Sequence, residues 1–158
     1  ASERQNDGKG RGRAGPDSGT GGGREGLPRD LGTARVADLG CGNGVLASGS
    51  ALDNPQAHYT LVDESFMAGQ SAAENWQATL GDRDVQLRAG DGLEMQEPDS
   101  LDVVLRNPPF HPQQVVGDFL AWRMFLHARP ALVAGGALSL LRNCHPRHHT
   151  QQSPLFRP

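Results

Sequence analysis

From Arg35 onward, short apolar runs alternate with amphipathic stretches. Arg35-Val36-Ala37-Asp38-Leu39 reads as a buried strand, and His58 to Val62, Val85 to Arg88 and Leu101 to Leu105 read as three more. Ala137 to Leu141 is expected to be a fifth. Helical spacing fills the intervals from about Gly44 to Leu52, Phe66 to Leu80 and Val115 to Val133. In the second of these, Phe66, Ala73, Trp76 and Leu80 fall broadly on one side. Each interval carries its own punctuation: Gly40-Cys41-Gly42-Asn43-Gly44 after the first strand, Asn54-Pro55 after the first helix, Gly81 after the second, and Gly135-Gly136 before the last strand. Trp76 and Trp122 sit in helical stretches and are expected in the core.

Strand–helix alternation at this spacing implies right-handed crossovers, and so an α/β fold: a Rossmann-like, mostly parallel sheet with helices on both faces. Ligands of such sheets lie beyond the carboxyl ends of the strands, near the switch in strand order. Every unusual motif in this sequence follows a strand at that edge.

Composition divides the chain. It has 158 residues with 21 Gly and 11 Pro, and ten of the glycines precede residue 34. Residues 1–33 are therefore expected to form a disordered Gly/Arg-rich head, 34–143 the folded core, and 144–158, with Pro146, Pro154 and Pro158, an irregular tail without strands. The glycines keep no period of three, which excludes collagen, and two cysteines exclude a disulfide scaffold. No apolar run approaches the ~20 residues of a membrane span. The expectation is a soluble, cytoplasmic domain with no membrane association. A net charge of −3 argues against holding nucleic acid by bulk charge alone. Basic residues cluster at the ends, Lys9 to Arg29 and Arg142 to Arg157, where they read first as solvated termini.

Three glycines, Gly40, Gly42 and Gly44, let backbone pass close to a ligand. Their spacing is Gly-x-Gly-x-Gly, tighter than the dinucleotide fingerprint, with Asp38 two residues ahead. An acid there repels phosphate and welcomes a cation, which suits a ligand carrying an ammonium and a sulfonium. Asp63 ends the second strand about 20 residues on, where an acid accepts hydrogen bonds from ribose hydroxyls. Asp91, in Gly90-Asp91-Gly92 after the third strand, is placed to accept from an adenine amino group. Taken together these describe a nucleoside site, with S-adenosylmethionine as its natural cofactor. Asn107-Pro108-Pro109-Phe110 follows the fourth strand. Two prolines prevent the sheet from continuing and stiffen the turn. The Asn107 side-chain oxygen and the Pro108 carbonyl can accept from one planar amino group, with Phe110 stacking on the ring that bears it.

On these residues the chain resembles the class I S-adenosylmethionine-dependent methyltransferases. Within them it resembles the ribosomal RNA guanine-N2 methyltransferases, type G acting on the large ribosomal subunit and type C on the small one. The resemblance rests on Val36 to Val45, Thr60 to Ser65, Ser71 to Asn75, Gly90 to Gly92 and Asn107 to His111. It implies methyl transfer to the exocyclic N2 of a guanine in ribosomal RNA, 23S favoured over 16S. It assigns Asp38, Gly40, Gly42 and Gly44 to the cofactor loop, Asp63 to the ribose and Asp91 to adenine. The tetrapeptide Asn107, Pro108, Pro109 and Phe110 holds the amine. The implied partner is ribosomal RNA, whose base must be unstacked to reach such a pocket.

The family also carries a second, methyltransferase-like domain on the N-terminal side and a final antiparallel hairpin. Both are expected to be absent here, so a non-catalytic cofactor- or RNA-binding remnant is the alternative. Another planar amine, an adenine N6 or a glutamine amide, would fit the same tetrapeptide. Arg106 stands beside the amine site, either reaching a phosphate or crowding the pocket. Pro130 falls late in the third helix, at a cost of about 3 kcal/mol in a helix interior. Cys144, His145, His148 and His149 lack zinc spacing, so no metal is expected. Cys41 reads as a small loop filler rather than a nucleophile, and His111 as a turn residue or a substrate contact.

Overall fold

Strand β1 (Arg35–Leu39) takes the middle of the sheet because four of its five residues are buried. A computed structural model gives the fold and describes residues 26–90, 92–93, 96–107, 118–141 and 155–156. Around β1 are helix α1 (Val45–Asp53), β2 (His58–Asp63), α2 (Phe66–Leu80), β3 (Gln86–Ala89) and β4 (Leu101–Arg106). Helix α3 (Asp118–Ala128), β5 (Leu132–Leu140) and β6 (Leu155–Phe156) complete the elements. The strand order is β3-β2-β1-β4-β5-β6. The first five strands run parallel and β6 antiparallel to β5. The order reverses between β1 and β4, which puts the switch point where the glycine loop and Asn107 emerge.

Alternation along the strands feeds two cores. Val36, Tyr59, Leu61, Val103 and Leu105 meet Ala47 and Ala51 of α1 and Ala72 and Trp76 of α2. On the other face Ala37, Leu39, Val62, Val104 and Leu138 meet Phe125 and Ala128 of α3. The small residues that weaken α1 as an isolated helix let it lie close on the sheet: Ala47, Ser48, Ser50 and Ala51 are its buried positions. Arg83 ties the first core together. Its guanidinium donates to the carbonyl oxygens of Ala51, Asn54 and Ala57 at 2.6, 2.7 and 2.7 Å. It also lies over the rings of Tyr59 and Trp76.

Several expectations change. Leu27 is buried, and Asn54 accepts from the Leu31 amide while donating to the Pro28 carbonyl, so the chain is packed from about residue 27 rather than from 34. Strand β5 begins at Leu132 and passes through Gly135-Gly136 instead of starting after them. Leu101 pairs with Leu132 but Val103 with Ala137, so the two glycines sit in a bulge, with Gly135 at φ 81°. Pro130 stands in the turn after α3, where it breaks no helical bond. Trp122 is 51% exposed, and Phe66, expected to share the inner side of α2, is 81% exposed; Trp76 alone of the two tryptophans is core. The tail is not without strands: Ser139 pairs with Leu155 and Leu138 with Phe156. Part of the antiparallel edge expected to be missing is therefore present.

Candidate functional site

The loop after β1 is shaped by three left-handed glycines, Gly40, Gly42 and Gly44, at φ 64°, 53° and 74°. A Cβ on Gly40 or Gly42 would meet nothing within 4 Å, so both face open space on the ligand side. Gly44 is different: a Cβ there would come 3.0 Å from Ala72 Cβ and 3.1 Å from Leu61 Cδ2. Only glycine lets α1 start this close to α2. The amides of Gly40 and Cys41 both donate to the Val62 carbonyl, and the Gly42 amide donates to Asp63 Oδ2 at 2.9 Å. Asp63 Oδ1 accepts from the Ser65 amide. Each carboxylate oxygen retains acceptor capacity for a hydroxyl.

Asp38 is not at an open mouth, as its place in the sequence suggested, but beneath the loop, 1% exposed. Burial, which outweighs a hydrogen bond from the Ala47 backbone, together with the nearby Asp63 charge, raises its pKa from 3.8 to about 7. Its Oδ2 has no hydrogen-bond partner. A buried acceptor without a donor is costly, and a cation arriving at the loop would relieve it. Cys41 feels the same surroundings: burial, then Asp38 and Asp63, push its thiol up to about 12. It is a thiol at neutral pH and no nucleophile.

Sequence reasoning did not single out Asn75 as a support. Its side-chain amide donates to the Asn43 carbonyl at 2.8 Å, tying the glycine loop to α2. The sequence signal is weak, an asparagine amid better helix formers. Asn107 lies at the exit of β4, next to β1, half-buried. The structure thus brings Asp38, the three glycines, Asp63 and Asn107 to one edge of three adjacent strands. Asp91, Pro108, Pro109, Phe110 and His111 lie outside the described residues, as do Cys144, His145, His148 and His149. Among the described residues no group of three or more His, Cys, Asp or Glu side chains could hold a metal.

Solved structures that share this fold include S-adenosylmethionine-dependent methyltransferases. A putative one from Methanococcus maripaludis matches with TM-score 0.55 and 21% identity over 71% of this chain and 49% of its own. A phosphoethanolamine N-methyltransferase from Haemonchus contortus, solved with S-adenosylhomocysteine, matches with TM-score 0.55 and 19% identity over 83% and 29%. The chain belongs to the methyltransferase small domain family, whose model matches residues 13–157. Among curated proteins it is similar to the ribosomal RNA large subunit methyltransferase G of Pseudomonas syringae pv. syringae (strain B728a), 81% identical over 131 residues. The homologous protein of Pseudomonas fluorescens (strain Pf0-1) is 70% identical over the same length. In both cases the match covers 83% of this chain and 35% of the relative, so the chain spans about a third of the length of these proteins.

The residues present fit S-adenosylmethionine. Its ammonium would answer the orphaned Asp38 Oδ2, its ribose hydroxyls would answer the spare acceptor capacity of Asp63, and a Cβ-free Gly40 and Gly42 would leave its path open.

Proposed function

We propose that this chain is the catalytic part of a methyltransferase that moves the methyl group of S-adenosylmethionine to the exocyclic N2 of a guanine in large-subunit ribosomal RNA. The observation that carries the reading is the convergence of Asp38, Asp63 and Asn107 at the carboxyl ends of the adjacent strands β1, β2 and β4. The names of the relatives favour 23S over 16S RNA.

When bound, S-adenosylmethionine supplies a methyl on a sulfonium that is already a good leaving group. What remains for the protein is positioning. Asp63, fixed by the amides of Gly42 and Ser65, holds the ribose end. Ionised Asp38 offers its free oxygen to the ammonium, and Asp91 is the acceptor on the adenine side. Asn107, with the Pro108 carbonyl, accepts from the target amino group and orients the nitrogen lone pair. Phe110 stacks on the unstacked base, worth ~1–3 kcal/mol.

The test is tritium transfer from labelled S-adenosylmethionine to 23S and 16S RNA, with nucleoside analysis for N2-methylguanine, beside calorimetric titration of the cofactor. Asn107→Ala should keep cofactor affinity and lose transfer. Equal loss of both would make Asn107 structural. No cofactor binding by the unaltered chain would leave the remnant reading in its place.

A further inference from the structure

The glycine loop is held from two sides. Its first half hangs on β2, where Gly40 and Cys41 donate to the Val62 carbonyl and Gly42 to Asp63. Its second half rests on α2. Ala72 leaves no room for a Cβ on Gly44, and one turn later the Asn75 side-chain amide donates to the Asn43 carbonyl at 2.8 Å. Positions three apart on a helix share a face, so both contacts come from one side of α2.

The Asn43–Gly44 peptide is thereby fixed at both ends. Its carbonyl accepts from Asn75, and its N–H donates to the Cys41 carbonyl at 2.8 Å. The second bond closes a four-residue turn with Gly42, φ 53°, at its second position. Neither glycine specifies this geometry alone, because glycine takes either sign of φ about equally well. Gly44, at φ 74°, caps α1 without a side-chain hydrogen bond. Its conformation is selected by the two bonds on the peptide before it and by the packing against Ala72. The start of α1 depends on that peptide: the Val45 amide donates to Asn43 Oδ1 at 3.3 Å, and the Ser48 amide to the Gly44 carbonyl at 3.0 Å. In the first turn of α1, the Ala47 backbone hydrogen-bonds the buried Asp38. Turning the peptide over would shift both this turn and the acid beneath the loop.

We propose that Asn75 is a positioning residue for the cofactor: through the Asn43 carbonyl it holds the Asn43–Gly44 peptide in the orientation in which the glycine loop receives S-adenosylmethionine. The inference rests on the S-adenosylmethionine reading of this loop. Asn75 is half-buried, so water can take over its donation at little cost to stability. A water does not fix the direction of the carbonyl as a side chain seated on a helix does. Loss of Asn75 therefore leaves the fold standing and returns to the loop a freedom that binding must then remove.

Calorimetric titration with S-adenosylmethionine is paired with amide hydrogen exchange, followed by NMR on the cofactor-free chain. Asn75→Ala should bind the cofactor about tenfold more weakly. Its Gly44 amide should exchange at least about fivefold faster, while amides of β1 and β2 keep their rates and the melting temperature moves little. Asn75→Asp has nearly the same size but sets a carboxylate, which cannot donate, against the Asn43 carbonyl, so it should bind at least as weakly as Asn75→Ala. Glu74→Gln, an exposed change beside it on α2, is the control and should bind as the unaltered chain does. Unchanged affinity in Asn75→Ala overturns the proposal. An Asn75→Asp variant that binds normally does the same, because the donated hydrogen bond is then not what acts. Weaker binding with strand amides exchanging faster to the same degree also overturns it, since Asn75 then supports the whole fold. If the unaltered chain binds no S-adenosylmethionine, the cofactor reading falls and takes this proposal with it, an outcome distinct from the other three.

Discussion

The Gly42 amide donates a 2.9 Å hydrogen bond to Oδ2 of Asp63, twenty-one residues further along the chain. The loop after β1 and the acid at the end of β2 are therefore one unit. The Val62 carbonyl reinforces it by accepting from both Gly40 and Cys41. A ligand that engages Asp63 meets a carboxylate already aimed by the backbone it will lie against, so little ordering remains to be done on binding.

Asp63→Ala removes an acceptor for two backbone amides as well as the proposed ribose contact. Calorimetry should show S-adenosylmethionine binding at least tenfold weaker, about 1.4 kcal/mol. The denaturant midpoint should also fall, by the equivalent of about 1–2 kcal/mol. Unchanged cofactor affinity would refute the ribose assignment.

Asp38 makes both stability and affinity depend on pH. Its folded pKa, about 7, stands above the ordinary 3.8, so ionisation favours the unfolded chain. The group's contribution to stability is complete below about 4 and is lost as pH rises through 7. Asp38→Asn should flatten the fall in urea stability between about pH 5 and about pH 8 seen in the unaltered protein without ligand. Cofactor affinity should run the other way. An ammonium binds the ionised form, so calorimetric affinity should rise over the same interval in the unaltered protein and not in the variant.

Gly44→Ala should cost more stability than Gly40→Ala. Both force a left-handed backbone on alanine, about 1 kcal/mol. Only the first also drives a methyl against Ala72 and Leu61, adding about 1–3 kcal/mol of overpacking. Guanidinium denaturation of the two variants gives the difference. Equal losses would show that α2 yields freely.

Arg83→Leu leaves three carbonyl oxygens without their donor and removes the cation over Tyr59 and Trp76. The expected loss is about 2–4 kcal/mol in chemical denaturation, with Arg83→Lys recovering only part, because an ammonium cannot reproduce the planar fork. A loss under about 0.5 kcal/mol would show the carbonyls rehydrate at no cost.

The strands were legible because their signals are local. β1 has the expected bounds, Arg35–Leu39, and α2 runs over the expected Phe66–Leu80, with Ser65 capping its start and Gly81 its end. The glycine loop, Asp63 and Asn107 were legible for the same reason: each sits where a strand ends, and turn chemistry marks that point. The long third helix was overread because apolar spacing runs on past Ala128, whereas Pro130 and the bulge at Gly135-Gly136 place the following residues in β5.

By itself the sequence determined the parallel sheet, its carboxyl edge and the residue types gathered there, since periodicity and turn residues act over a few positions. Tertiary structure decided what those residues can do. The raised pKa of Asp38 depends on α1 and β2 closing over it, and the aim of Asp63 on an amide from another loop. The short β6 depends on pairing with β5. Each is a relation between segments distant in sequence, set by desolvation and packing that no local pattern records.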